Sequence, residues 1–177
     1  MAPVEPERRS VVFTGHLIRV EVEEWRGRGR REIVRHPGSC AGVVLLDDER
    51  VVLIRQLREA VRREVLEIPA GIYDQEGESP DQTMAREVAE ETGCRVLDQR
   101  HLGAILTTPG FSDERIDLFL VRGERDSPPE EGIEVVEVAF DDAVRMVHAG
   151  EIDDAKSAVA LLLAEHLLRS ERASDDG

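Results

Sequence analysis

Residues 66–94, LEIPAGIYDQEGESPDQTMAREVAEETGC, constrain this chain more than any other stretch. Ser79, Pro80 and Gln82 make an S-x-x-Q capping box with proline in the first turn, and Gly93 supplies a left-handed stop. The spacing predicts a helix over 79–92. On a wheel advancing about 100° per residue, Met84, Ala85, Val88 and Thr92 share one face. Glu87, Glu90 and Glu91 crowd onto the adjacent arc, with Glu87 and Glu91 side by side one turn apart. Three carboxylates this close repel one another unless positive charge lies between them. Arg86, four residues before Glu90, can hold that one. Glu87 and Glu91 are left to share a divalent cation, and oxygen ligands suit a hard ion such as Mg²⁺ or Mn²⁺.

A solvated acidic face is the ordinary reading of a Glu-rich helix. The wider pattern overrides it. Gly71, Glu78, Arg86, Glu87, Val88, Glu90, Glu91 and Gly93 follow the order G-x5-E-x7-R-E-U-x-E-E-x-G-U, where U is bulky and apolar. At ordinary residue usage, seven fixed positions coincide by chance about once in 10⁷ windows. The stretch resembles the Nudix box, with one departure: six residues rather than five separate Gly71 from Glu78. The extra residue is expected near Gln75–Gly77, leaving the helical half, and hence Glu87 and Glu91, in register. Cys94 stands at the last apolar position.

The resemblance implies an α+β chain with the Nudix fold, a mixed β-sheet sandwiched between α-helices (α/β/α), preceded by an N-terminal strand extension. It also implies water attack on phosphorus, with metal carboxylates neutralising a substrate diphosphate. Glu87, Glu91 and Glu78 are the implied metal residues, joined by the backbone carbonyl of Ala70. Arg86 and Glu90 belong to the catalytic helix.

Similarity to the ADP-ribose pyrophosphatase branch covers about residues 14–165. Pro109 lies sixteen residues after Gly93, as in that branch, and the segment TTPGFSDE resembles its S-P-G-x-[ST]-x-E loop, with Glu114 as the closing acid. In RQLREA, Arg58 matches a phosphate-binding arginine, with Arg55 beside it. Glu67 of LEIPAG matches an acidic residue near the metal-site strand. Arg31 and Glu32, in GRREIVRH, fall where the branch contacts adenine, often from a second subunit. The substrate side is thus Arg58, Arg55, Arg31, Glu32, Pro109 and Gly110. The implied reaction is hydrolysis of ADP-ribose to AMP and ribose 5-phosphate. The alternatives are another nucleoside diphosphate sugar such as GDP-mannose, or a non-catalytic nucleotide-sensing domain. For the water-activating base, alignment favours Glu131, with Glu130 and Glu114 as rivals.

Elsewhere the sequence mainly excludes. In 177 residues, 38 Asp and Glu against 23 Lys and Arg give a net charge of −15, which argues against nucleic-acid and anionic-membrane partners. No apolar run approaches the ~20 residues of a bilayer span, and residues 1–10 do not resemble a secretory signal. Cys40 and Cys94, with no metal-type spacing, read as reduced core residues of a cytoplasmic protein. The single lysine, Lys156, is not preceded by a glycine and so rules out a G-x-x-x-x-G-K loop. His16, His36, His101, His148 and His166 show no ligand spacing and read as structural or exposed.

Alternation predicts strands over 11–20, 31–35, 40–46, 51–56, 65–68, 101–106, 115–121 and 135–140, with a turn at Asp47–Asp48. A short helix capped by Asp141 should follow, then a longer one from Asp154 whose apolar face includes Val159, Leu162, Leu163 and Leu167. The expected organisation is an N-terminal strand extension over 1–35 packed in a homodimer, a catalytic domain over 36–170, and a disordered tail over 171–177.

Overall fold

The computed structural model describes residues 5–47 and 49–175. Three strands, β1 (Arg8–Thr14), β2 (Arg19–Trp25) and β3 (Gly29–Arg35), form a separate antiparallel sheet in that order. The stretch 11–20 is therefore two strands and a turn, closed by the Gly15 N–H donating to the Ile18 carbonyl at 2.8 Å. The turn expected at Asp47–Asp48 falls partly outside the described residues.

The main sheet has seven strands: β4 (Ser39–Leu45), β5 (Arg50–Arg58), β6 (Arg63–Glu67), β7 (Ala70–Ile72), β8 (Cys94–Leu106), β9 (Arg115–Arg125) and β10 (Glu134–Ala139). Its main path runs β10-β5-β4-β9-β8, with β6 on β5 and β7 on β4. Only the β4–β9 pair is parallel, so the sheet is mixed. Every residue of β4 is buried, as its unbroken apolar run requires at the centre of a sheet covered on both faces.

Helix α1 (Pro80–Thr92) covers one face through Met84 and Val88, packed with Cys40, Val44, Val52 and Phe119. Helices α2 (Phe140–Ala149) and α3 (Ala155–Asp175) cover the other, against Val43, Leu53, Ile68 and Leu118. Burying each such side chain contributes about 1.5–3 kcal/mol. Both cysteines are free and buried. No helix among the described residues is long and apolar enough to cross a membrane.

The caps of α1 form as the sequence dictates. The Gln82 N–H donates to Ser79 Oγ, the Ser79 N–H donates to Gln82 Oε1, and Gly93 adopts φ 69°. A side chain at Gly93 would also strike the Ser127 carbonyl oxygen, 2.1 Å from its Cβ position.

Three expectations fail. Asp141 does not cap α2; the helix starts from Ala139 with no side-chain cap. Helix α3 departs from its predicted face by half: Val159 and Leu167 pack against the core beside the buried Ser157, Ala160, Leu161 and Ala164, but Leu162 and Leu163 are exposed. Its small alanines let the helix approach closely, and they set its rotation. The tail is not disordered from 171: α3 continues through Asp175, with Glu171 paired to Arg100 and Arg172 to Glu49, both at 2.6 Å.

Candidate active site

Strand β7 and helix α1 bring the box residues together. The Ala70 N–H donates to Glu91 Oε2 at 2.9 Å, which fixes that carboxylate beside the residue whose carbonyl is a candidate ligand. With Glu87 placed as it is, Gly71 leaves no room for a side chain: its Cβ would lie 1.9 Å from Glu87 Cδ. The Glu87 carboxylate thus lies directly against the β7 backbone.

Burial pushes the Glu91 carboxyl up to about 7, against the pull of the Ala70 N–H. It pushes Glu87 upward as well, despite Arg86. A buried and a half-buried carboxylate resisting ionisation, the buried one paired with no cation among the described residues, are the environment that a divalent ion would relieve. The donors are all oxygens, which fits a hard cation. In this arrangement no group of three or more His, Cys, Asp or Glu side chains converges as a ready-made site among the described residues. Glu87 is turned toward Arg86 instead.

Arg86 does more than hold Glu90. Its Nη1 donates to Glu87 Oε1 at 2.6 Å and to Glu90 Oε2 at 3.1 Å, its Nη2 to Asp74 at 3.3 Å, and Nε and Nη2 to Glu78 at 3.2–3.4 Å. Four carboxylates therefore share one guanidinium. Arg86, with a bond from Thr83, keeps Glu78 below the usual carboxylate range. The extra residue before Glu78 is absorbed in a turn in which the Glu78 N–H donates to the Gln75 carbonyl at 3.3 Å. Glu78 still reaches the helix.

A cleft of about 550 Å³ opens beside β7, lined by Arg58, Glu67, Ala70, Gly71, Glu114 and Lys156 among others. Arg58 binds Glu67 bidentately, Nε to Oε1 at 2.7 Å and Nη2 to Oε2 at 2.9 Å. Across the cleft, Thr107 Oγ1 donates to Glu114 Oε2 at 2.6 Å, and His36 Nε2 stands 3.7 Å from Glu114 Oε1. The Gly38 N–H donates to His36 Nδ1 at 3.1 Å, so the neutral ring carries its proton on Nε2, facing Glu114. Cys40 is no nucleophile: burial pushes its thiol up to about 12.

Other candidates lie elsewhere. Strand alternation sends Arg55 to the face opposite Arg58, where it pairs with Glu134 at 3.2 Å. Pro109 lines a second cleft of about 360 Å³ with Trp25, Ile33, Arg35 and Phe111, beside the N-terminal sheet. The edge of β3 holds that turn: the Val34 N–H donates to the Phe111 carbonyl at 2.7 Å, and the Asp113 N–H to the Val34 carbonyl at 3.2 Å. Gly110 is exposed at its tip. Arg31 and Glu32 are exposed on β3 and line neither cleft. Glu131 is exposed on the loop before β10.

Two clusters went unread in the sequence. His36 lies too far along the chain from Glu114 for spacing to link them. Lys156 is buried against Glu67 and Asp154; its being the sole lysine, beside the capping Asp154, was the available signal.

Comparison with known proteins agrees with this geometry. The model of the NUDIX domain matches residues 36–163. An ADP-ribose pyrophosphatase of Bacillus subtilis (strain 168) is 36% identical over 160 residues, covering 85% of this chain and 86% of that protein. A GDP-mannose pyrophosphatase of Cronobacter sakazakii is 35% identical over 157 residues, covering 77% of this chain and 80% of its own. A solved structure described as an ADP compounds hydrolase superposes with a TM-score of 0.77 over 97% of this chain and 98% of that one, at 19% identity, a likeness of fold. With the box residues gathered at one sheet edge and the family model spanning most of the chain, this protein belongs to the Nudix family.

Proposed function

We propose that this chain is a metal-dependent hydrolase of nucleoside diphosphate sugars, with ADP-ribose preferred and AMP and ribose 5-phosphate as products. The observation that carries this reading is the buried Glu91, without a cation of its own, fastened to Ala70 on the wall of a cleft that also presents Arg58. Glu87, Glu91 and the Ala70 carbonyl would hold Mg²⁺, or Mn²⁺ in its place. A divalent ion bound there would neutralise the diphosphate and favour deprotonation of water. Arg58 binds a phosphate oxygen. Arg86 keeps Glu78, Glu87 and Glu90 together, setting the spacing of the helix carboxylates. Glu114, braced by Thr107 and facing His36, accepts hydrogen bonds from sugar hydroxyls or from water.

The test is a substrate panel with Mg²⁺, scored by identified products. ADP-ribose should give the highest kcat/KM. If dGTP or a dinucleoside tetraphosphate gave the higher value, the substrate assignment would be wrong. GDP-mannose is the second reading, favoured by the Cronobacter sakazakii relative. A nucleotide-sensing domain without turnover would bind ADP-ribose stoichiometrically and release no product.

The same reading makes the chain a cytoplasmic homodimer, with no nucleic-acid or membrane partner. Val11, Val12 and Phe13 are 53–59% exposed on β1, an edge strand. Such an apolar edge invites a second chain. A partner packed there would also give the exposed Arg31 and Glu32 a route to substrate. Light scattering at micromolar concentration should return twice the monomer mass of 19.8 kDa. A monomer would overturn the dimer.

A further inference from the structure

Lys156 is the only lysine in the chain and is buried. Its Nζ bonds Glu67 Oε2 and, at 2.9 Å, Asp154 Oδ2. Glu67 is 1% exposed, and its carboxylate also takes the Arg58 fork. Two cations therefore converge on one buried carboxylate, sharing its Oε2 oxygen. A carboxylate with one partner can swing with it; one gripped by two cations from different elements is fixed.

This matters for what Arg58 has left to offer. Its planar guanidinium carries five N–H groups, and the Nε–Nη2 edge is spent on Glu67. The remaining edge, Nη1 with the second Nη2 hydrogen, is the end that pairs bidentately with phosphate oxygens. The Arg58 side chain is 41% exposed and lines the cleft. Its free edge is thus oriented by Glu67.

Docking of α3 does not need the Lys156 charge. The Ile68 N–H donates to Ser157 Oγ at 2.9 Å, and Arg63 pairs with Asp153, so β6 and the residue after it are already tied at two other points to the first turn of α3 and the segment leading into it. Asp154 in turn caps α3, accepting from the Ser157 N–H at 3.0 Å. The arrangement is a chain from the α3 cap through Lys156 and Glu67 to Arg58.

We propose that Lys156 is a positioning residue of the diphosphate site, acting through Glu67 to hold the free edge of Arg58 toward the substrate. This rests on the reading of Arg58 as a phosphate-binding residue. Lys156→Met should raise KM about tenfold for ADP-ribose and for GDP-mannose, with kcat changed less than about twofold. In an Arg58→Ala background the same substitution should add less than about twofold, because the route it acts through is gone. An unchanged KM, or effects that multiply in full, would overturn the proposal.

Metal-free calorimetry with inorganic pyrophosphate repeats the cycle without turnover. A wild type inactive on both sugars would defeat the functional reading, while the pyrophosphate cycle still decides Lys156. Should Lys156→Met fail to fold, the wild type suffices. Labelling with ¹⁵N-lysine gives one side-chain Nζ signal, which pyrophosphate should shift saturably. A signal that stays fixed while pyrophosphate binds would overturn the proposal.

Discussion

Replacing Glu91 by Gln should lower kcat about 10³-fold while making the metal-free protein more heat-stable at alkaline pH. The first effect follows from removing a charged ligand: losing about 4 kcal/mol of transition-state stabilisation is about three powers of ten. Glu87→Gln should behave alike in activity. Near-wild-type rates in both variants would remove the metal assignment. The second effect comes from burial. The Glu91 carboxyl titrates near 7 in the folded chain, above its ordinary value of 4.5. A carboxyl raised in this way favours the fold fully below about pH 4.5, and that contribution is lost as pH rises through about 7. Above that, the folded protein carries a buried charge at a cost of roughly 3 kcal/mol. A glutamine side chain at this position cannot ionise, and its amide oxygen can still accept the Ala70 N–H. With chelator present, the Tm of Glu91→Gln relative to wild type should therefore increase by about 5 °C between pH 5 and pH 8. A difference that does not change with pH would show that the carboxylate is not penalised by burial. Because the two readouts move in opposite directions, a merely misfolded variant cannot imitate the result.

What the sequence made legible was local. Helix α1 could be read because its cap, its stop and its carboxylates all fall within fifteen residues, where spacing translates directly into geometry. The buried strand β4 was equally plain, as a seven-residue apolar run. The fourfold clamp on Arg86 was not legible: Asp74 lies twelve residues away across a turn, and Glu87, its immediate neighbour, does not share its face on a simple wheel. Neither was the phase of α3. With Leu161, Leu162 and Leu163 in succession, hydrophobicity alone cannot choose a face, and Ala160 and Ala164 decide it by allowing close approach to the sheet. The acidic tail looks solvated by composition, yet Arg100 and Glu49, at least 71 residues away, pair with it. Nor could spacing show that β3 draws the Pro109 turn to a different cleft from that of Arg58.

The second large effect is expected at Glu131. A general base must be uncommitted, near the reacting water and able to take a proton from it. Most acids at the site are already engaged: Glu78, Glu87 and Glu90 with Arg86, Glu67 with Arg58 and Lys156, and Glu114 with Thr107. Glu131 makes no hydrogen bond or ion pair among the described residues. Its loop is nonetheless anchored to α1: the Asp126 and Ser127 N–H groups donate to the Gly93 carbonyl at 3.0 Å, and the Glu130 N–H donates to the Glu90 carbonyl at 2.8 Å. That places a free carboxylate next in sequence to a backbone pinned on the last turn of α1, the turn that carries Glu91. Short anchored loops of this kind can close over a bound substrate. Glu131→Gln should lower kcat about 10²–10³-fold and leave KM within about threefold, since a base acts in the transition state rather than in binding. Glu130→Gln tests a one-residue slip, and Glu114→Gln tests the acid across the cleft. A normal kcat in Glu131→Gln, with collapse in either of the others, moves the role to the residue whose loss abolishes turnover.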